Sequence, residues 1–326
     1  MNTLNHGKAM SLFFAGALSL LLLQSDTGRS GERPEFLHQG KRVVFLGDSI
    51  TAAGDFISII EGQLRLAYGL DIPELINLGL PSETCTGLSE PEHPFPRPDV
   101  HERLERALQR STPDIVVACY GMNDGIYYPF DEERFAAYQA GIRKLVEKVK
   151  ASGAKCILLT PPAFDPEPFR AKGKLLPKDA KEFAWFAIYE KYDEVIQRYA
   201  NWVKEAGELG VERIDVHDPI RDYLRAKRVE QPDFALSGDG VHMNRDGHRL
   251  LARSVLDAWG VEPSTKLEEP LLELCHEKNQ LLHAAWLTRV GHKRPGAKPG
   301  LPIPKAESEA RILDEAILNE LRRLED

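Results

Sequence analysis

The sequence predicts a three-layer α/β/α sandwich around a parallel sheet, with a helical extension at its C-terminal end. Continuous apolar, β-branched runs are typical of strands that a parallel sheet buries on both faces. Between these runs, apolar residues recur every three or four positions, as on one face of an amphipathic helix. The two kinds of segment alternate five times, which indicates helices on both sides of the sheet.

Five runs are predicted as strands, at residues 43–46, 73–78, 115–120, 156–160 and 213–216. Gly47 and Gly121 end the first and third runs. Pro161 ends the fourth, because proline lacks the N–H that a central strand needs. The carboxyl ends of parallel strands face the ligand crevice of an open α/β sheet. Residues just beyond these runs are therefore candidates for a functional site.

Six segments are predicted as helices, at residues 56–67, 100–108, 135–149, 184–206, 220–226 and 244–259. The third shows the clearest pattern, because its apolar residues alternate at spacings of three and four. Residues 164–181 combine charges with prolines and are predicted to form a loop. Right-handed crossovers with short connections make a flavodoxin-like order of the five strands the expected topology.

The N-terminal end differs in composition from the rest of the chain. Lys8 precedes an uncharged apolar run at residues 11–23, which matches the core of a secretory signal and is short for a bilayer span. Residues 1–32 are therefore predicted to be a signal peptide and short spacer, with export to the periplasm or the extracellular space. No Ala-x-Ala cleavage site follows the apolar run, so an uncleaved N-terminal anchor is the alternative.

The sandwich is predicted at residues 41–260, and residues 261–326 form the extension. Helical patterns occupy residues 267–287 and 307–324, with a basic Gly/Pro-rich loop at 291–304 between them. Because the extension adds no strand, it is expected to pack on the sandwich, to cover part of the site or to form an oligomer contact. The oligomeric state stays open.

The composition limits the possible partners. The 326 residues carry a formal net charge of −8, so no basic surface is expected to neutralise nucleic acid phosphates. The first strand–helix turn lacks both the P-loop and the Gly-x-Gly-x-x-Gly signatures of nucleotide binding. No CxxC motif or Cys/His cluster suggests a metal, and no cofactor is expected. A small neutral substrate fits this composition better.

Four cysteines could form up to two disulfides in an exported protein. Cys119 and Cys156 lie in strand-like runs, where a buried thiol is the commoner outcome. Cys85 in a loop and Cys275 in a C-terminal helix cannot be paired from the sequence.

Ser49 is the first candidate for chemistry. It follows Gly47 and Asp48 at the carboxyl end of the first predicted strand, where a nucleophile would be placed. The alternative is that Ser49 caps the next helix, because Asp-Ser before a helical pattern is also a good N-cap.

The second candidate is the turn from Asp239 to His242. A carboxylate three residues before an imidazole can bind one ring nitrogen and leave the other to accept a proton. A serine nucleophile needs both of these functions. The alternative is a surface turn in which both side chains are solvated.

Two further loops could stabilise the negative charge that develops when a carbonyl is attacked. Asn123 follows the third predicted strand, and its side-chain amide can donate a hydrogen bond to such an oxyanion. The loop after Asn77 could supply a backbone N–H. Asn123 and Asp124 would also suit an ordinary turn.

Taken in order, the four blocks resemble those of the SGNH (GDSL) hydrolase family. The blocks are Gly47-Asp48-Ser49, the loop after Asn77, Gly121-Met122-Asn123-Asp124 and Asp239-Gly240-Val241-His242. The resemblance covers residues 41–260 and implies a flavodoxin-like fold and ester hydrolysis. It implies Ser49 as nucleophile, His242 as general base and Asp239 as the residue that orients His242.

The resemblance also implies an oxyanion hole formed by the Ser49 N–H, a backbone N–H of the second block and the Asn123 side chain. The family's second block usually reads Asn-x-x-x-x-Gly, and counting from Asn77 the position of that glycine is Ser82. Ser82 is therefore the expected donor, with Gly79 as the alternative if the loop shifts register. The Ser82 hydroxyl would then crowd the site or form a hydrogen bond in it.

The expected reaction is hydrolysis of carboxylic esters through an acyl-enzyme, on short acyl groups such as acetyl. The substrate would be a small-molecule or polysaccharide ester, with no stable membrane insertion of the mature chain. The loop at 87–98, with His93, Phe95 and Arg97, is a candidate lining of the cleft or else a proline-stiffened surface loop. Two alternatives remain, namely a lipase or acyltransferase on the same residues and a non-catalytic α/β protein that binds a ligand.

Overall fold

The structure, a computed structural model, describes residues 33–325. The predicted signal peptide and spacer at residues 1–32 lie outside the described residues. The strands are β1 (Arg42–Gly47), β2 (Glu74–Asn77), β3 (Ile115–Cys119), β4 (Lys155–Leu159), β5 (Leu175–Leu176), β6 (Ile188–Tyr189) and β7 (Glu212–Ile214). The α-helices are α1 (Ser49–Ala53), α2 (Asp55–Tyr68), α3 (Val100–Ser111), α4 (Glu132–Ala151), α5 (Glu167–Arg170), α6 (Tyr192–Glu205), α7 (His217–Glu230), α8 (Arg245–Ala258), α9 (Glu269–Val290) and α10 (Ile303–Glu325).

Five strands form one parallel sheet in the order β2-β1-β3-β4-β7. This is the flavodoxin-like order, so the predicted fold class and topology are confirmed. The order reverses between β1 and β3, where Gly47 lies opposite Cys119 in the register. The loops that leave these two strands therefore begin side by side, and they carry Ser49 and Asn123.

Right-handed crossovers divide the helices between the two faces of the sheet. Helices α2 and α8 pack against each other on one face, and α3, α4 and α6 cover the other. The strands β1 and β3 are buried between these layers along their length, apart from Arg42 at the first position. None of the helices that the structure describes is long and apolar enough to cross a membrane.

The C-terminal extension covers one edge of the sheet. Helix α9 contacts the edge strand β2 and also α2 and α3, which lie on opposite faces. Helix α10 packs along α9. An edge strand exposes unpaired backbone groups, so a helix over β2 prevents it from pairing with another chain. The extension packs on the sandwich, which is the first of its three expected arrangements.

The predicted helix at 184–206 is wrong over its first turns. Ala184 and Ala187 exchange two backbone hydrogen bonds of 2.9 Å across a tight turn, and helix α6 begins only at Tyr192. Apolar residues fit helical spacing here, but Trp185 and Phe186 at the tip of the turn are 48% and 41% exposed. Spacing alone does not show which apolar side chains are buried.

The predicted loop at 164–181 contains short elements of its own. Helix α5 lies within it, and β5 pairs in parallel with β6, with Leu175 opposite Ile188. We call residues 160–191 the β4–α6 insertion, because they lie between a central strand and its crossover helix.

All four cysteines are buried free thiols. Cys119 lies in β3 and Cys156 in β4, as predicted for thiols in the core of the sheet. Burial raises the pKa of Cys156 to about 12, so this thiol stays protonated and unreactive at neutral pH.

Candidate active site

Ser49 is the first residue of α1, directly after the turn that ends β1. A Cβ at position 47 would lie 2.2 Å from Thr51 Oγ1 and 2.8 Å from the Cys119 carbonyl oxygen, so this sharp turn accepts only glycine. Asp48 caps the helix, because its Oδ1 accepts the Ile50 N–H at 2.9 Å. The capping function belongs to Asp48, and the Ser49 hydroxyl is left for another role.

The imidazole of His242 lies between Ser49 and Asp239. His242 Nε2 is 2.9 Å from Ser49 Oγ, and His242 Nδ1 is 2.7 Å from Asp239 Oδ2. The structure thus brings together the three residues that the sequence predicted, across 193 positions of the chain between Ser49 and His242. This order of contacts can move a proton from the hydroxyl to the imidazole while the carboxylate stabilises the resulting charge.

The Asp239 carboxylate is held by its own turn. Its Oδ1 accepts the backbone N–H of Val241 at 3.0 Å and that of His242 at 2.8 Å. Partial burial acts to raise the pKa of the Asp239 carboxyl, but the hydrogen bonds from His242 outweigh it and hold that pKa well below its usual range. In turn, the hydrogen bond with Asp239 raises the pKa of His242 above that of an ordinary histidine, although partial burial opposes this.

Asn123 has a fixed amide orientation. Its Nδ2 donates to the Glu83 carbonyl oxygen at 3.2 Å, and its Oδ1 accepts from the Tyr127 hydroxyl at 2.8 Å. A carbonyl oxygen can only accept, so the NH₂ group must face Glu83, and its second hydrogen is available to a ligand. Tyr127 was not predicted from the sequence. It reaches Asn123 because Ile126 and Tyr127 adopt φ values of 46° and 64°, which are uncommon for such residues.

The N–H groups of Gly79 and Ser82 differ in the loop after β2. Gly79 N–H donates to Asn77 Oδ1 at 2.9 Å, whereas the Ser82 N–H has no acceptor within residues 33–325. Ser82 adopts a φ of 69°, in the left-handed region that favours glycine. This conformation explains why the resembling family places glycine at the equivalent position, and for serine it costs about 1–2 kcal/mol.

Asp124 ties this second loop to the end of β3. Its Oδ1 accepts the backbone N–H of Cys85 at 2.8 Å and that of Thr86 at 3.1 Å. Burial raises the pKa of Asp124 to about 6, and it raises the pKa of Asp48 to about 6 as well. The Asp of the third block is therefore an anchor for the loop that carries Ser82.

Two buried ion pairs lie beneath the same loop. Arg103 donates to both oxygens of the Glu83 carboxylate at 2.6 Å, and Arg97 donates to both oxygens of Glu90 at 2.7 Å. Arg97 also donates to the Ser82 carbonyl oxygen at 3.4 Å. Arg97, a candidate lining residue of the cleft, is thus bound in a structural ion pair and does not present a free guanidinium to substrate.

The β4–α6 insertion forms the border of the site on the other side. The Asp165 N–H donates to the Gly240 carbonyl oxygen at 2.9 Å, and the Tyr189 N–H donates to the Tyr127 carbonyl oxygen at 3.1 Å. The insertion therefore contacts both the His242 loop and the Asn123 loop. Its turn exposes Trp185 and Phe186, whose rings pack edge to face with centroids 5.4 Å apart.

No group of three or more His, Cys, Asp and Glu side chains in the described part of the chain is arranged to hold a metal ion.

A family model for the GDSL-like Lipase/Acylhydrolase family matches residues 45–250, which is more than half of the chain and includes all four blocks. No curated protein matches the chain. The match ends before α9 begins, so the C-terminal extension lies outside it.

Solved structures with the same fold include three enzymes of low identity. A catalytic mutant of an acetylxylan esterase from Geobacillus stearothermophilus is 23% identical, with a TM-score of 0.51, and the match covers 70% of this chain and 97% of that one. An alpha/beta hydrolase enzyme from the metagenome of Lake Arreo, Spain, is 22% identical, with a TM-score of 0.52 and coverage of 71% and 100%.

The third is a gut microbial diltiazem-metabolizing enzyme, 23% identical, with a TM-score of 0.52. The match covers 68% of this chain but only 47% of that enzyme, so this chain spans about half of its length. At these identities the three structures support the fold. The family match over the four blocks shows that this chain belongs to the GDSL-like lipase/acylhydrolase family and is a carboxylic ester hydrolase.

Proposed function

We propose that this chain hydrolyses carboxylic esters with Ser49 as nucleophile, His242 as general base and Asp239 as the residue that orients His242. The observation that carries the proposal is the unbroken series of hydrogen bonds from Ser49 Oγ through the His242 ring to Asp239, at 2.9 Å and 2.7 Å. A nucleophile and base within hydrogen-bond reach, with the base held by a third group, is the arrangement that activates a serine hydroxyl.

The reaction follows from these positions. His242 Nε2 accepts the Ser49 proton while Ser49 Oγ bonds to the acyl carbon, and the carbonyl electron pair moves onto oxygen. This oxyanion accepts hydrogen bonds from the N–H groups of Ser49 and Ser82 and from the Asn123 amide. When the intermediate collapses, the ester C–O bond breaks and the alcohol leaves with the proton from His242. Water then attacks the acyl-enzyme in the same way and releases the acid and Ser49.

The charge state of the site suits a reaction near neutral pH. The depressed pKa of Asp239 keeps its carboxylate ionised, so it holds a proton on His242 Nδ1 and leaves the lone pair of Nε2 toward Ser49. The raised pKa of His242 makes it a stronger base, but the neutral form predominates only above that pKa. The value of kcat/KM should therefore rise with pH through a pKa above that of an ordinary histidine.

For the substrate, we propose short acyl esters, such as acetyl, carried by carbohydrate. The side chains of His242 and Asp239 are 56% and 42% exposed, so the reacting groups lie in an open site that a polymer can reach. The exposed rings of Trp185 and Phe186 on the bordering insertion offer flat apolar surfaces of the kind that pack against sugar rings. The acetylxylan esterases among the similar structures agree with this class of substrate.

The catalytic proposal is tested with a chromogenic acetate ester on the wild type and Ser49→Ala. We expect Ser49→Ala to lose turnover on the order of 10⁴-fold or more. Ser254→Ala is the matched control and should keep wild-type turnover. It removes a partly buried hydroxyl on α8 that, within the described residues, is bonded only to the Leu250 carbonyl oxygen. No turnover by the wild type would favour a non-catalytic ligand-binding protein.

Substrate class is tested by assaying the wild type and Trp185→Ala on acetylated xylan oligomers and on long-chain esters. We expect oligomers to be deacetylated, and Trp185→Ala to raise KM for oligomers while the small chromogenic ester is unaffected. Turnover of long-chain esters alone would identify a lipase, and ester products with added alcohols would identify an acyltransferase.

A further inference from the structure

The C-terminal extension contacts the backbone of both loops that surround Ser49. Helix α9 places Gln280 Nε2 2.6 Å from the Ala53 carbonyl oxygen at the end of α1, and His283 Nε2 2.8 Å from the Gly79 carbonyl oxygen. Beyond α9, Arg294 Nε donates to the Pro81 carbonyl oxygen at 2.9 Å. Side chains from outside the family match therefore hold the segment that leads to Ser82.

Asn77 connects these contacts at the end of β2. Its Nδ2 donates to the Thr51 carbonyl oxygen at 3.0 Å and to Asn279 Oδ1 of α9 at 3.1 Å. Its Oδ1 accepts the Gly79 N–H at 2.9 Å. One side chain thus joins α1, the loop after β2 and the extension, so a shift of α9 would be transmitted to both oxyanion donors of the backbone.

The backbone of Ser82 needs such support. A residue other than glycine at a φ of 69° is strained, and strain of this kind persists only where the surroundings impose it. Arg294 binds the Pro81 carbonyl oxygen on one side of Ser82, and Arg97 binds the Ser82 carbonyl oxygen on the other. Without these anchors Ser82 can relax to a negative φ, and its N–H would then turn away from the position it now has.

His283 can hold Gly79 without carrying a charge. The Gly79 carbonyl oxygen can only accept, so Nε2 carries the proton of this bond. Burial lowers the pKa of His283, which favours the neutral ring. A neutral ring can form this bond, so the contact does not require a charge.

We infer that the C-terminal extension is part of the catalytic apparatus, in which His283 and Arg294 are positioning residues that keep the Ser82 N–H directed at the oxyanion. The inference rests on the proposed ester hydrolysis, since it concerns a donor that acts only in that reaction. It assigns to residues 261–326 a role that the family match, which ends at residue 250, does not contain.

The test uses the full chain and the chromogenic acetate ester, with kcat and KM measured separately. Loss of an oxyanion donor costs about 10²–10³ in turnover, and a displaced donor should cost less. Arg294→Ala and His283→Leu should therefore lower kcat about 10- to 100-fold, while KM changes less than about threefold. Arg294→Lys and His283→Gln, which keep a donor, should recover part of the loss.

Arg289→Ala is the matched control, because Arg289 is an exposed arginine of α9 whose side chain forms no hydrogen bond or ion pair with the described residues. Its kcat and melting temperature should equal those of the wild type. A second arm places Arg294→Ala on a Ser82→Gly background. Glycine adopts positive φ without strain, so the loss of kcat from Arg294→Ala should shrink at least threefold there.

The outcomes separate this inference from the function on which it rests. If the wild type shows no hydrolysis that depends on Ser49, the proposed function fails and the inference fails with it. If hydrolysis depends on Ser49 but Arg294→Ala and His283→Leu match the control in kcat, only the inference is overturned. An equal loss of kcat from Arg294→Ala with and without Ser82→Gly would also overturn it, because the anchors would then not act through the backbone of residue 82.

Discussion

The loop that carries His242 and the loop that carries Ser82 are built in opposite ways. In the first, residues 237–242, the Asp239 carboxylate accepts hydrogen bonds from the backbone N–H groups two and three residues later, and the side chains are exposed. In the second, residues 79–98, the backbone is held by side chains from distant parts of the chain, among them Asp124, His283 and Arg294. The Asp239–His242 pair is thus held mainly by its own turn, although this loop also accepts the Asp165 N–H, whereas the second loop depends on several distant elements.

The difference matches the tasks that the two loops perform in the proposed reaction. A base has to exchange protons with substrate and water, which an exposed imidazole with a carboxylate partner can do. An oxyanion donor has to be fixed before the charge develops, because its value lies in preorganisation. Substitutions in the first loop should therefore change charge and proton transfer, whereas substitutions around the second should change geometry and stability.

Among changes in these two loops, the largest effect is expected from Asp239→Asn, on the order of 10⁴-fold in kcat/KM, which is about 5 kcal/mol. The amide cannot hold the proton on His242 Nδ1 in the required tautomer. The carboxylate raises the His242 pKa, so its removal should also move the acid limb of the pH–rate profile to lower pH. A pH–rate profile of kcat/KM for both forms measures this.

The asparagine oxygen can still accept the backbone N–H groups of Val241 and His242, so Asp239→Asn should lower the melting temperature only slightly. A large loss of stability, or an acid limb that stays in place, would contradict the view that this loop acts mainly through charge.

Arg97→Ala tests the other loop and should act on stability. Removing one partner of a buried ion pair leaves the Glu90 carboxylate buried and uncompensated, at a cost of about 3–5 kcal/mol in the free energy of unfolding. Arg170→Ala is the control, since its pair with Glu167 is about half exposed and is worth less than about 1 kcal/mol. Urea unfolding of both variants measures the difference, and equal midpoints would show that the buried pair is not needed.

Asn123→Ala should act on catalysis, as Asp239→Asn does, but through geometry and not through charge. It removes one oxyanion donor and should lower kcat about 10²–10³-fold, or about 2.7–4 kcal/mol, with a small change in KM. Tyr127→Phe keeps Asn123 but removes the hydroxyl that fixes its amide, so its loss should be smaller. If Tyr127→Phe were as damaging as Asn123→Ala, the tyrosine would have to act on substrate itself.

The sequence was sufficient to predict the parts of the site that lie close to a strand end or within one short turn. Ser49 and Asn123 follow strands that are neighbours in the sheet, and the strand order could be deduced from crossover rules. Asp239 and His242 are three residues apart. Their contacts follow from local backbone geometry, which is what a short motif can encode.

The sequence was not sufficient for the residues that hold the second loop. Arg103 stands on the apolar stripe of α3, three residues after Val100 and one before Leu104, which signals a buried cation that needs an anionic partner. Nothing in the sequence identifies that partner as Glu83, 20 positions away. Tyr127 and His283 gave no signal, and Arg294 stood out only as one cation of the basic loop at 291–304. Their contacts depend on positive φ values or on packing of the extension.

Ser82→Gly gives the smallest effect and the sharpest test of how this loop is held. Relief of the left-handed strain should raise the free energy of unfolding by about 1–2 kcal/mol. The greater freedom of glycine in the unfolded chain should lower it by about 0.4–1 kcal/mol. The net stabilisation of about 0.5–1 kcal/mol should raise the melting temperature by about 2 °C.

The control for this change is Ser152→Gly, at the end of α4, where φ is −77°. No strain is relieved there. The change adds the entropic cost of glycine and removes the hydrogen bond from Ser152 Oγ to the Val149 carbonyl oxygen at 2.7 Å, so the melting temperature should fall. If Ser82→Gly also lowered the melting temperature, its hydroxyl or its restricted backbone would contribute more than the strain costs. The distant anchors would then be holding a conformation that the local sequence already favours, and the contrast between the two loops would lose its physical basis.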